Sequence, residues 1–158
     1  MFKNIKVLIY DFDGVMTDNK VHVDENGRES VSVNRSDGLA ISILKKMGFS
    51  QFILSTETNP VVSKRAEKLQ ISCIQSCEDK KTAILAYSKQ NKIELNQILF
   101  VGNDINDLEA MKIIGIKVVP NDAHSSVKNI TDICLKAKGG DGVIRELLDL
   151  ILELKSKT

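Results

Sequence analysis

The chain has 158 residues, a length typical of one globular domain. Its 22 basic and 21 acidic residues leave a net charge of +1, which argues against a broad basic surface for nucleic acid. Two histidines are too few for a histidine-rich metal site, and no apolar run approaches the roughly 18 residues that span a bilayer. The three cysteines have no CxxC spacing, so we expect free thiols in a soluble, cytoplasmic protein that does not bind membranes.

Short apolar runs predict the strands of a sheet. The first, 5–10, is rich in residues that favour strands and stops abruptly at Asp11, as a buried strand does. Helical patterns separate it from the later runs, and this alternation favours an α/β fold with a parallel sheet, formed by a single domain over 1–158. The later strands are predicted at 51–55, 71–75, 97–101 and 116–119.

Apolar residues at helical spacing predict the helices between these strands. The first helix is expected to have Ser36 or Asp37 as its cap and to end at Gly48. Asn59 and Pro60 have the residue types expected at the N-cap and first position of the next helix. The predicted buried stripes are Leu39, Ala40, Ile43, Leu44 and Met47 in the first helix, Ile105, Leu108 and Met111 in a later one, and Val143, Ile144, Leu147, Leu148, Ile151 and Leu152 in the last.

A β-hairpin is predicted over residues 20–34. Apolar and polar residues alternate on both sides of Asn26-Gly27, a dipeptide that strongly favours a hairpin turn. A three-residue loop sets Asp24 opposite Arg28, whereas a two-residue loop sets Asp24 opposite the like-charged Glu29. We therefore predict the three-residue loop.

Acidic and polar side chains follow the ends of the predicted strands. Asp11 and Asp13 come after the first strand, Ser55 and Thr56 after the second, and the segment 102–107 after a later one. The carboxyl ends of parallel strands meet at one edge of a sheet, where ligand sites lie. Together the two acidic clusters can supply the oxygen ligands that a hard divalent cation prefers, but each alone is better explained as a solvated loop or a helix cap.

Three other polar residues could bind a phosphate group, although each of them alone is better explained as a helix cap or a surface residue. Ser55 or Thr56 can donate a hydrogen bond to a phosphate oxygen, and Lys80, at the start of its predicted helix, can neutralise another. The order of DFDG at 11–14, Ser55, Lys80 and GNDIND at 102–107 resembles the four motifs of the haloacid dehalogenase-like phosphatases, and the resemblance spans essentially the whole chain. It implies a three-layer, Rossmann-like α/β fold with the hairpin as a flap.

The resemblance also implies a mechanism through an aspartyl-phosphate. Asp11 would be the nucleophile, and Asp13 would protonate the leaving sugar oxygen and then activate water. Ser55 and Lys80 would hold the phosphoryl oxygens. Mg²⁺, the expected cofactor, would bind the Asp11 carboxylate, the Asp13 carbonyl and the 103–107 loop.

One position departs from the family pattern. Most relatives have an aspartate at the metal-ligand position that Asn103 occupies here. Either the Asn103 amide oxygen coordinates Mg²⁺ without adding charge, or Asp104 replaces it, while Asp107 is expected to orient Lys80 or a metal-bound water. The departure leaves open a weakly catalytic oligomerisation module, of the kind associated with CMP-sialic acid synthesis.

The spacing of the motifs leaves no room for a cap domain. Only the hairpin lies between Asp13 and Ser55, and only a helix and a short strand lie between Ser55 and Lys80. Because an uncapped site is open to water, we expect the hairpin and a neighbouring subunit to close it. The resemblance accordingly implies a homotetramer.

Within the family, the sequence resembles the branch that acts on phosphorylated 3-deoxy-2-keto sugar acids. Octulosonate 8-phosphate phosphatases have Thr-Gly-Arg where Ser55, Thr56 and Glu57 stand here, whereas Glu57 with Lys68 resembles the nonulosonate (sialic-acid-type) 9-phosphate phosphatases. An exposed ion pair or unrelated surface charges explain Glu57 and Lys68 equally well. Arg65 is expected to bind the sugar carboxylate, because its planar fork suits bidentate recognition. The expected substrate is a nonulosonate 9-phosphate, with octulosonate 8-phosphate as the alternative.

Overall fold

Six parallel strands form the central sheet of the computed structural model, which describes residues 1–157. The sheet strands are β1 (Val7–Tyr10), β4 (Ser50–Leu54), β5 (Ser72–Ile74), β6 (Ile98–Val101), β7 (Ile116–Val119) and β8 (Ile133–Cys134), and the hairpin strands are β2 (His22–Val23) and β3 (Glu29–Ser30). The helices are α1 (Arg35–Lys46), α2 (Val61–Leu69), α3 (Lys80–Asn91), α4 (Leu108–Met111), α5 (Ser125–Lys128) and α6 (Val143–Ser156). The strand order β5-β4-β1-β6-β7-β8 places β1 near the centre of the sheet.

Helices cover both faces of this sheet. Side chains alternate along β1, so that Leu8 and Tyr10 belong to one buried apolar cluster and Val7 and Ile9 to another. Helices α1, α2 and α6 contribute to the first cluster, and α3, α4 and α5 contribute to the second. The predicted three-layer α/β fold is therefore confirmed.

Within residues 1–157, none of the helices is both long enough and apolar enough to cross a membrane.

The predicted hairpin is present, and its register is the predicted one. Val23 pairs with Glu29, and the Asp24 N–H donates to the Arg28 carbonyl at 3.0 Å. The loop between them therefore contains the three residues 25–27. Both β2 and β3 are exposed to solvent along their length.

The first helix differs from its prediction at its start and in its buried face. Its N-cap is Asn34, whose Oδ1 accepts the Ser36 N–H at 2.9 Å, and not Ser36 or Asp37. Leu39 is 55% exposed. The buried face of α1 is rotated from the predicted one because Asp37 points into the protein. Its Oδ1 accepts the N–H of Ile144, near the start of α6, at a distance of 3.0 Å. The buried face consists of Asp37, Ala40, Ile41 and Leu44.

Smaller differences occur in other elements. Helix α2 begins at Val61, one residue later than predicted, although Asn59 Oδ1 still accepts the Val61 N–H at 3.0 Å. A 3₁₀ turn over 105–107 precedes the short α4, which leaves Ile105 63% exposed, and Leu152 on α6 is exposed as well. No pattern predicts α5 or β8, because four and two residues are too few to show a period.

Candidate active site

Three central strands end in residues that line the candidate active site. Asp11 follows β1, Ser55 follows β4, and Asn103 lies two residues beyond β6. The Asp11 N–H donates to the Val101 carbonyl and the Ser55 N–H to the Ile74 carbonyl, both at 2.9 Å, so the sheet ladder positions both side chains. They open on a hollow of about 170 Å³. Its lining is completed by Asp13, Asn19, Thr56, Asn103, Asp104 and Asn106.

Lys80 joins two carboxylates of this region. It is the first residue of α3 and is only 2% exposed. Its Nζ lies 3.0 Å from Asp11 Oδ1 and 2.6 Å from Asp107 Oδ1. Asp107 Oδ2 accepts the Asn103 N–H at 2.8 Å, which ties the loop after β6 to the same network. A Cβ at Gly102 would lie 2.8 Å from the Asp107 Cβ, so the glycine lets Asp107 pack against the strand end.

Burial dominates the electrostatics of this network. Burial, and then repulsion from Asp107, raise the pKa of Asp11 above its ordinary value, while the adjacent Lys80 and the Phe12 N–H favour the carboxylate. Burial lowers the pKa of Lys80, but attraction to Asp11 and Asp107 outweighs it and leaves that pKa above its ordinary value. Lys80 is therefore a permanent positive charge.

Asp13 lies in a tight turn between the hollow and a smaller one beside the hairpin. The Thr17 hydroxyl donates to Asp13 Oδ1 at 3.3 Å, and Thr17 Oγ1 accepts the Gly14 N–H at 3.2 Å. Burial, then repulsion from Glu57 and from Glu29 of the hairpin, raise the pKa of Asp13. A carboxyl group that holds its proton more readily than usual is suited to act as a general acid.

The segment after β4 brings three predicted residues to the same edge. Ser55 is buried, and its Oγ accepts the Glu57 N–H at 3.1 Å. The carboxylate of Glu57 accepts the N–H groups of Thr58 at 2.9 Å and Asn59 at 3.0 Å. Glu57 thus caps its own turn beside Asp13, and the neighbouring Thr56 lines the main hollow.

Arg65 and Lys68 lie outside this hollow. Both line a groove of about 310 Å³ between α1 and α2, together with the cations Arg35 and Lys45. A guanidinium nitrogen of Arg65 donates to the Asn34 carbonyl at 3.2 Å. Among residues 1–157 no ion pair joins Lys68 to Glu57, because the two side chains line different depressions. Within one chain, therefore, neither Arg65 nor Lys68 meets the predicted site.

Sequence comparison decides the family. The profile of the haloacid dehalogenase-like hydrolases matches residues 50–147. The 3-deoxy-D-manno-octulosonate 8-phosphate phosphatase of Haemophilus influenzae is 34% identical to this chain, over 99% of this chain and 87% of that protein. The chain belongs to the haloacid dehalogenase-like hydrolases.

Two further relatives extend this result. A crystal structure of the 3-deoxy-D-manno-octulosonate 8-phosphate phosphatase of Moraxella catarrhalis, in complex with magnesium, phosphate and the sugar acid, superposes with a TM-score of 0.91. It is 30% identical and covers 96% of this chain and 87% of its own. The N-acylneuraminate cytidylyltransferase A of Danio rerio is also 30% identical over 97% of this chain, which corresponds to 36% of that longer protein.

The oxygen atoms around Asp11 fit a hard divalent cation in this haloacid dehalogenase-like hydrolase. The side-chain amide of Asn103 lies 2.9 Å from Asp11 Oδ2 and 3.0 Å from the Asp13 carbonyl oxygen. A Cβ at Gly14 would overlap this amide. Among the described residues, no three His, Cys, Asp or Glu side chains form a metal cluster by themselves. A cation held by Asp11 would therefore take carbonyl and amide oxygens as its further protein ligands.

Asp104 is engaged in a different role from Asn103. Its Oδ1 accepts the Ile105 N–H at 2.7 Å, and it caps the 3₁₀ turn that follows. Asp107 completes this capping box. Of the two alternatives for the metal ligand, the geometry favours Asn103.

Two asparagines of the site are not singled out by the sequence. Asn106 Nδ2 lies 3.5 Å from Thr56 Oγ1, and its place in the GNDIND segment is the only signal that points to it. Asn19 lines the hollow in a left-handed conformation, φ +68°, which asparagine tolerates better than most residues. No period or motif spacing reveals this position.

Proposed function

We propose that this hydrolase is a Mg²⁺-dependent phosphatase for the phosphate ester of a 3-deoxy-2-keto sugar acid, with Asp11 as its nucleophile. The position of Asp11 carries the proposal. Its carboxylate opens on the hollow, lies 3.0 Å from the buried ammonium of Lys80 and accepts the Phe12 N–H at 2.7 Å. Such contacts hold a carboxylate in one orientation. The sugar-acid phosphatases among the relatives support the substrate class.

The reaction proceeds in two displacements. A carboxylate oxygen of Asp11 bonds to phosphorus as the bond between phosphorus and the sugar oxygen breaks, and Asp13 gives its proton to that leaving oxygen. Asp13, now a carboxylate, takes a proton from a water molecule whose oxygen attacks phosphorus. The bond between phosphorus and Asp11 then breaks, which releases inorganic phosphate and restores both residues.

Positive charge must offset the repulsion between an anionic nucleophile and an anionic phosphate. Mg²⁺ supplies part of this charge when it is bound at Asp11 and Asn103. Lys80 supplies the rest, and Asp107 keeps its ammonium group in place through the 2.6 Å contact. The Ser55 hydroxyl is positioned to donate to a phosphoryl oxygen.

Among the sugar acids, we propose a nonulosonate 9-phosphate as the preferred substrate. Glu57 and the hairpin residue Glu29 line the smaller hollow together with Asp13, so carboxylate acceptors lie near the proposed general acid. A polyol chain donates hydrogen bonds to such acceptors. Octulosonate 8-phosphate is the second candidate, and the 34% identity to the Haemophilus influenzae phosphatase favours it.

We further infer a homotetramer whose neighbouring subunits close the site. Val21 and Val23 are exposed on the hairpin, and Val21 lines the smaller hollow between Asp13 and the hairpin. Exposed apolar residues on a short ribbon favour contact with another chain. Because Arg65 and Lys68 lie outside the hollow of their own chain, in this proposal they reach the sugar carboxylate from a neighbouring subunit. Light scattering should then give the mass of a tetramer.

A substrate panel tests the function. Purified protein is incubated with Mg²⁺ and either sialic acid 9-phosphate or octulosonate 8-phosphate, and kcat/KM is obtained from phosphate release. We expect metal-stimulated hydrolysis of both esters, with preference for the 9-phosphate, and no hydrolysis by Asp11→Asn.

The possible results separate the levels of the proposal. Preference for octulosonate 8-phosphate would overturn only the choice of sugar acid. Activity that survives Asp11→Asn would exclude Asp11 as the nucleophile. Failure of both esters in the presence of Mg²⁺ would favour the weakly catalytic module instead.

A further inference from the structure

The turn that carries Asp13 packs against the loop between β8 and α6. The Gly140 N–H donates to the Val15 carbonyl at 3.1 Å. A Cβ added at the neighbouring Gly139 would lie 2.3 Å from the Gly14 carbonyl oxygen and 2.7 Å from its carbon. These distances are shorter than any van der Waals contact, so the loop and the turn meet backbone to backbone and leave no space for a side chain at Gly139.

We propose that Gly139 is a positioning residue for Asp13: the space that it leaves for the turn holds the Asp13 carboxyl group in place for proton transfer to the leaving sugar oxygen. The inference rests on the proposed function for the role of Asp13 as general acid. Within the described part of the chain, Gly139 is not among the residues that line the hollow. It therefore acts on the reaction through the turn.

Hydrogen bonds within the turn hold one side of it. The N–H groups of Val15, Met16 and Thr17 lie 2.9 to 3.3 Å from the carbonyl oxygen of Phe12. The contact from the Thr17 hydroxyl to Asp13 Oδ1 is 3.3 Å, which is long for a hydrogen bond between oxygens. So weak a bond leaves the direction of the carboxyl group to the backbone of the turn, and the loop supports the other side of that backbone.

The loop is itself fixed to two other parts of the molecule. The Gly139 N–H donates to Asp122 Oδ1 at 2.9 Å, and Asp122 lies between β7 and α5. The side-chain amide of Asn34, the N-cap of α1, donates to the Gly140 carbonyl at 3.2 Å. Gly140 is in the left-handed region, φ +80°, which favours glycine. A loop held from both directions can serve as a support for the turn.

The test compares two esters that differ in their need for a general acid. The alkoxide of a sugar acid is strongly basic and needs the proton of Asp13, whereas p-nitrophenolate is weakly basic and leaves without one. The sugar ester is sialic acid 9-phosphate or octulosonate 8-phosphate, whichever the wild type hydrolyses faster. First-turnover rates at saturating Mg²⁺ report the step in which the leaving group departs.

Gly139→Ala should lose activity selectively. We expect first-turnover cleavage of the sugar ester to fall about a hundredfold, the lower range of what a general acid contributes. Release of p-nitrophenolate should change by less than about threefold. Asp13→Asn is the reference variant, and it should show the same selective loss.

Gly115→Ala is the matched control. A Cβ at Gly115 would lie 2.3 Å from the Asn96 carbonyl oxygen, the same overlap with backbone as at Gly139. Gly115 precedes β7, at the end of the sheet opposite the hollow. Both alanine variants should therefore lower the melting temperature to a similar extent, but Gly115→Ala should leave the ratio of the two rates at its wild-type value.

A milder pair of variants decides the question if Gly139→Ala does not fold. Asp122→Ala removes the acceptor of the Gly139 N–H, whereas Asp122→Asn keeps an oxygen in its place. Asp122 is exposed, so neither substitution disturbs the core. Asp122→Ala should slow cleavage of the sugar ester about tenfold relative to p-nitrophenyl phosphate, and Asp122→Asn should restore the ratio.

The outcomes separate this inference from the proposed function. Equal loss of both rates in Gly139→Ala, or a selective loss in Gly115→Ala, overturns the positioning role and leaves the phosphatase intact. An unchanged ratio in Asp122→Ala overturns it when Gly139→Ala does not fold. A wild type that hydrolyses neither ester overturns the proposed function, and an unchanged ratio in Asp13→Asn overturns the assignment of Asp13. The inference falls with either of these results.

Discussion

The active-site hollow and the α1–α2 groove are built from charges in opposite ways. In the hollow, the charges contact one another, since Lys80 lies 3.0 Å from Asp11 and 2.6 Å from Asp107. In the groove, the Lys45 ammonium group donates to the Gln70 carbonyl. Within residues 1–157, none of the cations that line the groove forms an ion pair with a carboxylate. These cations are Arg35, Lys45, Arg65 and Lys68.

This difference in charge pairing agrees with the two roles in the proposed function, which places the reaction in the hollow and the binding of a charged group in the groove. Catalysis requires reacting groups in a fixed orientation, and charged groups that contact one another hold each other in such an orientation. Cations without a partner carboxylate attract an anion from outside the chain. The comparison predicts that substitutions in the hollow affect both turnover and stability, whereas substitutions in the groove affect chiefly the binding of the substrate.

The largest effect is expected at the centre of the hollow. Lys80→Met removes the cation between two buried carboxylates, and breaking a buried ion pair costs about 3–5 kcal/mol of unfolding free energy. Phosphate release should fall by about a thousandfold or more, because a charge that opposes the phosphate is lost. Urea unfolding and steady-state kinetics measure the two effects.

Lys89→Met on the same helix is the control for Lys80→Met. Lys89 is exposed near the end of α3, so the same substitution there should change neither quantity appreciably. If Lys80→Met lost activity but kept its unfolding free energy, the ion pairs in the hollow would not stabilise the fold, and the contrast with the groove would fail on that point.

The sequence predicts the hollow much better than the groove, for a physical reason. Asp11, Ser55 and Asn103 each follow an apolar strand, and parallel strands bring their carboxyl ends together whatever the details of packing. The groove depends on how α1 and α2 pack. That packing is rotated from the periodic expectation because Asp37 is buried to contact a helix that begins 106 residues later, at Val143. A tertiary contact of this range leaves no local signal.

Asp37 itself gives the second prediction, which concerns the support of the groove. Burial raises its pKa to about 6, even though the N–H groups of Arg145 and Ile144 and the charge of Arg65 lower it. A carboxyl whose pKa is raised on folding stabilises the fold below its unfolded pKa of 3.8, and that contribution is lost as pH rises through 6. Its loss amounts to about 3 kcal/mol at most.

Asp37→Asn removes this titration but retains an oxygen that can accept the same N–H groups. The unfolding free energy of the wild type, relative to Asp37→Asn, should therefore fall between pH 4 and pH 7. Urea unfolding across this range measures the difference, and Asp149→Asn, at an exposed position of α6, is the control. Parallel pH curves for the wild type and Asp37→Asn would show that Asp37 does not titrate on folding.

The smallest effect is expected in the groove and rests on the proposed recognition of the sugar carboxylate by Arg65. Arg65→Lys keeps the charge but loses the planar fork, so KM for the sugar acid phosphate should rise about tenfold, while kcat changes by less than about twofold. A phosphate ester without a carboxylate, p-nitrophenyl phosphate, should show no change in KM.

Arg145→Lys is the matched control, since Arg145 pairs with Asp149 on the surface of α6. Equal increases in KM for both esters would mean that Arg65 supports α1 through its hydrogen bond to the Asn34 carbonyl. The groove would then have a structural role and would not bind the substrate.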